Sequence, residues 1–107
     1  MFDPNDFDAI ASSIILVRDI IIKKLADEIG VKCVSDDRLL EAVDAGRIAF
    51  FLAGFSSLAR RHEIPLDRDD MAQIINTITD HNGMRLLCKY LPVDEFARVY
   101  GILKKYQ

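Results

Sequence analysis

Four side chains of the metal-ligating type come first: Cys33, Cys88, His62 and His81. A structural zinc site usually begins from local pairs at C-x-x-C or H-x-x-x-H spacing. None of the four has such a neighbour, so a zinc would have to be gathered from four distant points. Buried thiols and exposed loop histidines are expected instead, with no metal and no cofactor. Asp67, Asp69 and Asp70 superficially imitate a calcium loop, but no glycine holds the sixth position and no glutamate closes the twelfth. Ser12-Ser13 and Ser56-Ser57 fall in helical stretches, without the Gly-x-Ser-x-Gly elbow that exposes a nucleophile. A phosphate-cradling glycine loop is lacking too. The chain is not expected to be an enzyme.

The 107 residues suit a single helical domain spanning 1–107, with 50% apolar and 29% charged content typical of a globular protein. A net charge of −3 and a pI of 5.3 argue against a dedicated nucleic-acid binder, which carries a basic stripe. Two cysteines are too few for a disulfide scaffold, so a reducing compartment is expected. Met1-Phe2-Asp3-Pro4 opens on an acid, the reverse of a signal peptide's basic start. The most apolar run, residues 14–22, already contains Arg18 and Asp19, and is far short of a membrane span. A cytoplasmic location is expected.

The elements that would hold any site are helical. Asp3 caps and Pro4 opens a helix reaching about Ile29, with Phe7, Ile10, Ile14, Val17, Ile21 and Leu25 at helical spacing and Gly30 as the stop. Ser35 caps a short helix with Leu39, Leu40 and Val43 on its apolar face. Asp44-Ala45-Gly46 is either a break or a passage into the next helix, Arg47 to about Arg61, whose apolar side holds Ile48, Phe51, Leu52, Phe55, Leu58 and Ala59. Its other side is small: Ala49, Ala53, Gly54 and Ser57 would admit a close neighbour. Asp67 and Asp70 then form a capping box, with Leu66 and Met71 in staple positions. A turn at Asp80-His81-Asn82-Gly83 leads to a short helix from Met84 to Leu91. Pro92 opens the last helix, with Phe96, Val99, Tyr100, Leu103 and Tyr106 inward. The fold class is all-α, a compact bundle of five or six helices.

The first helix is apolar almost all round. At about 100° per residue from Ile14, Ile15 and Ile22 lie near 100° and 80°, and Leu16 and Ile20 near 200° and 240°. Only a narrow strip at Asp19 and Lys23 is reliably polar. Either this helix is central and wrapped by the others, or one side packs at home while the other meets a partner. On the second alternative Ile15, Leu16, Ile20 and Ile22, flanked by Asp19 and Lys23, form a partner or dimer interface. The free protein is then a homodimer, and target and second copy compete.

Residues 47–106 resemble the small phage anti-sigma proteins of the AsiA type. The similar stretches are Arg47-Ile48-Ala49-Phe50-Phe51-Leu52, Leu66-Asp67 through Ile74-Ile75-Asn76-Thr77-Ile78-Thr79, and Phe96-Ala97-Arg98-Val99-Tyr100-Gly101-Ile102-Leu103-Lys104-Lys105-Tyr106. Before Arg47 the chain is longer than that family by about one short helix, so no individual contact carries over. The resemblance implies a transcription regulator that binds the C-terminal, promoter-reading region of a primary sigma factor in a host cytoplasm, without touching nucleic acid or membrane. A different small inhibitor or adaptor, such as a counter-defence factor, is the alternative. A helical DNA-binding repressor using Asp67 to Leu91 is weaker, since its second helix offers only Arg85 and Lys89.

Overall fold

The computed structural model describes the backbone of residues 3–62 and 66–107, and the side chains of 3–57 and 66–107. Five helices follow in order: α1 (Pro4–Gly30), α2 (Asp36–His62), α3 (Arg68–Asp80), α4 (Gly83–Tyr90) and α5 (Val93–Lys105). There is no strand among the described residues. The class is all-α. The inward side expected for Leu58 and Ala59, and the helix end at Arg60 and Arg61, lie outside the described side chains.

Local chemistry accounts for most of the boundaries. The Asp3 carboxylate accepts from Asn5 N at 2.9 Å, with Pro4 in the first turn. Ser35 Oγ accepts from Arg38 N at 3.2 Å and starts α2. The capping box at α3 is complete, with Asp70 N to Asp67 Oδ1 and Asp67 N to Asp70 Oδ2 both 2.9 Å. Leu66 packs against the core that buries Met71, as a staple requires. Two chain reversals differ from expectation. The left-handed residues are Lys32 and Asn82, both at φ 57°, and no described glycine has positive φ. Gly30 therefore ends α1 without the left-handed turn, which comes two residues later at Lys32 and is closed by Cys33 N on Glu28 O at 2.9 Å. Gly83 serves close approach instead: a Cβ there would strike the Ile78 side chain and lie 2.6 Å from its carbonyl oxygen.

Asp44-Ala45-Gly46 is a passage, not a break, and α2 runs through it for 27 residues. One helical glycine costs about 1 kcal/mol, less than burial of Ala45 and Ile48 against α1 returns. α1 and α2 thus form a long antiparallel hairpin. Its inner line on α1 is Phe7, Ile10, Ile14, Val17 and Ile21, and on α2 it is Ala45, Ile48 and Leu52, all buried. The three-and-four spacing is that of helices packed side by side. α3, α4 and α5 close one side of the hairpin through Ile74, Ile78, Leu87, Val99 and Leu103. Two helices of about 40 Å set the long dimension of the 47 × 30 × 20 Å molecule.

The continuity of α2 changes its phase. Leu39, Leu40 and Val43, expected to face inward, are exposed. Running the inner line backward from Ala45 reaches Glu41 and Arg38, and these occupy the tip of the hairpin. Tyr100, also expected inward, is exposed on α5, with Lys104 Nζ 5.5 Å from its ring centre. Phe96, Val99, Leu103 and Tyr106 make the inner line there, and Ile102, which was not expected inward, also packs against the core.

Candidate protein-binding surfaces

Charged side chains fill the hairpin tip where the apolar line ends. Arg38 donates to Glu28 Oε1 and Glu41 Oε1, both at 3.1 Å, and to the Tyr90 hydroxyl. Tyr90 in turn donates to Glu41 Oε1 at 2.7 Å, and Lys89 Nζ reaches Glu41 Oε2 at 2.8 Å. Burial opposes the charge on Glu41, but hydrogen bonds from Lys89 and Tyr90 outweigh it and hold the carboxyl below its ordinary range. Burial, with the bond to Glu41, pushes the Tyr90 hydroxyl up. A second clamp joins the chain ends. Tyr106 and Lys105 donate to Asp6 Oδ2 at 2.7 and 2.9 Å and hold its carboxyl down. The clusters fasten α4 and α5 to the hairpin, while at the tip the buried Glu28 Oε2 has no hydrogen-bond partner among the described residues.

Lys89 is therefore engaged at the tip, and Leu86 and Leu87 are buried. Of the two cations expected on a DNA-reading helix, only Arg85 is not paired there. Cys33 and Cys88 are both exposed, contrary to the expected burial, because Cys33 follows the α1 turn and Cys88 lies on the outer side of α4. His81 is half-buried at the end of α3, and the side chain of His62 lies outside the described residues.

The surplus apolar side chains are in the open. Ile15 is 44% exposed, Leu16 40% and Ile22 50%, whereas Ile20 is half-buried. α1 is not wrapped by the other helices. The six proposed interface residues span an arc of about 160° on the side of α1 opposite its buried line, with apolar residues at both edges. Ile15 and Ile22, seven apart, share a line that Ile29 continues, and Leu16 and Ile20 lie more than about 100° away. Asp19 and Lys23 stand exposed between them, with Asp19 Oδ1 3.2 Å from Arg18.

Ile15 forms part of the wall of an 810 Å³ groove between α1 and α2, on the side away from α3. Phe7, Ala11 and Leu52 make the apolar floor; Arg18 and Asp8 supply charge along one wall. Ala49 and Ala53, small as expected, leave the space that a larger pair would fill. The sequence reading missed a second surface, on the outside of α2. Phe50 is 82% exposed beside a 590 Å³ depression that includes Ala42, Gly46 and Thr77. Its signal was the spacing Leu39, Val43, Gly46, Phe50, Ala53, visible only once α2 is continuous.

The fold and these surfaces define an all-α bundle built on a long hairpin with two uncovered apolar sides. No protein-family model matches the sequence, and no curated protein or solved structure does. No helix among the described residues is long and apolar enough to cross a membrane.

Proposed function

We propose that this protein is a non-enzymatic regulator that binds another protein in the groove between α1 and α2. Exposed Ile15 in the groove wall, on a line that Ile22 and Ile29 continue beyond the groove, carries the reading. Covering one such side chain is worth roughly 1.5–3 kcal/mol, and an amphipathic helix laid in a groove is the usual way to do so. Small Ala49 and Ala53 let its backbone come close, while Asp8 and Arg18 set its direction. The similarity of residues 47–106 to anti-sigma proteins nominates the C-terminal region of a primary sigma factor as the partner. Binding there would block or redirect transcription.

Calorimetric titration with that sigma region tests the proposal, using the intact chain and its Ile15→Asp and Ile22→Asp variants. Saturable binding that both variants lose, with helical circular dichroism retained, is the expected result. Binding unaffected by either variant removes the groove from the proposal. With no binding at all, the sigma partner fails, and capture of a different host protein by the intact chain but not by Ile15→Asp would favour the adaptor alternative.

A further inference from the structure

We infer that the helix taken up by the α1–α2 groove carries an acid near its N-terminus and a base about eleven residues later, and lies antiparallel to α1. This rests on reading that groove as the binding site. Among the described lining residues the charged ones are Asp8 and Arg18, both on the α1 wall. They stand ten residues apart, about 15 Å along the helix axis. The α2 wall is lined by alanine, leucine and serine and adds no charge. The Asp8 carboxylate has no hydrogen-bond or ion-pair partner among the described residues. Arg18 meets its neighbour Asp19 at 3.2 Å, but their side chains are 38% and 60% exposed. Such an exposed pair holds weakly and yields to a second carboxylate.

The balance of charge selects the class of occupant. A phosphate backbone or an anionic lipid surface calls for cations throughout, and Asp8 repels both. A peptide helix can present both signs at the two ends of one apolar stripe. Side chains eleven positions apart return to the same face after three turns, about 16 Å along the axis. That spacing matches Asp8 and Arg18, with Ala11, Ile15 and Leu52 as the apolar ground between them. The acid must meet Arg18 and the base must meet Asp8. Helices favour acids in the first turn and bases in the last, as α5 does with Asp94 and Glu95 early and Lys104 and Lys105 late. The occupant's N-terminus therefore lies at Arg18, and its chain runs opposite to α1 and in the same sense as α2.

Two peptides of about sixteen residues test this, each with a leucine and alanine face and one glutamate and one lysine about eleven positions apart. One has glutamate first, the other lysine first, and both are stapled so that their helicity is equal. Fluorescence anisotropy with the intact chain should show the glutamate-first peptide binding about tenfold tighter, a margin that narrows in high salt. The double variant Asp8→Lys with Arg18→Glu should reverse the order, and Ile15→Asp should lose both peptides. Equal affinities that Ile15→Asp abolishes overturn the polarity and leave the groove reading standing. A preference unchanged in the double variant, or lysine-first binding tighter to the intact chain, overturns the inference as well. Binding that Ile15→Asp does not affect overturns both the polarity and the groove. If neither peptide binds, an occupant of this chemistry is excluded, and the sigma titration alone decides the groove.

Discussion

Along the inner line of α2, Ala45, Ile48 and Leu52 are buried against α1; along the outer line, Leu39, Val43 and Phe50 are exposed at the same three-and-four spacing. Spacing tells which residues share a line, but not which line faces the core. That choice is made by the partner helix. α1 presents Ile10, Ile14 and Val17 as a continuous ridge, and the smaller inner residues Ala45 and Ala49 let α2 come close to it. Phe50 on that side would hold the helices apart. The outer line keeps apolar character that the monomer does not use.

The largest expected difference separates these two lines directly. Ile48→Ala should cost about 2–5 kcal/mol, because it removes buried methyl groups and leaves a cavity. Phe50→Ala should change monomer stability by less than about 0.5 kcal/mol, as exposed substitutions do. Urea unfolding of dilute samples measures both. Equal losses would mean that Phe50 is packed in the monomer, and the distinction would go.

Gly83 sharpens the contrast between covered and open positions. Gly83→Ala should destabilise by about 1–3 kcal/mol, because the added methyl overpacks a filled site against Ile78. Thermal unfolding would show it. A neutral result would mean that α3 and α4 can part without cost.

The tip clamp comes next. Glu41→Gln should cost about 1–3 kcal/mol, since Arg38 and Lys89 lose a charged partner in a half-buried setting. Glu41 and Asp6 both have carboxyl groups held below their ordinary values of 4.5 and 3.8. A depressed carboxyl contributes stability that is fully present above the unfolded value and disappears as pH falls through the folded one. Stability should therefore hold near neutrality and decline below about pH 4.5, with a shallower decline in Glu41→Gln. An unchanged acid profile in that variant would show that the clamp does not couple α4 to the hairpin.

What was legible in the sequence was local. The Asp67–Asp70 box and the Ser35 and Asp3 caps depend on groups within three residues, so their types and spacing suffice. The phase of α2 was not. Treating Asp44-Ala45-Gly46 as an open choice left Leu39, Leu40 and Val43 free to point inward. Placing Arg38 and Glu41 there instead depends on Tyr90, about half the chain away. The excess of apolar residues on α1 was visible, and so was their scatter in angle around the helix. Which of them stay uncovered depends on where α2 and α5 lie, and no local signal carries that. Phe50 was hidden for the same reason.

The smallest expected effect is a gain. Gly101 lies inside α5, is exposed, and has nothing within 4 Å of a Cβ built on it. Alanine there keeps the helical backbone, meets no neighbour and narrows the freedom of the unfolded chain. Gly101→Ala should therefore stabilise by about 0.4–1 kcal/mol, opposite in sign to the same methyl at Gly83. Thermal melts of the two variants side by side provide the comparison. Because α5 is outside both apolar lines, binding of the proposed target should not change with Gly101→Ala. A loss of stability would place another surface against α5, and the outer side of α2 would no longer be the main uncovered one.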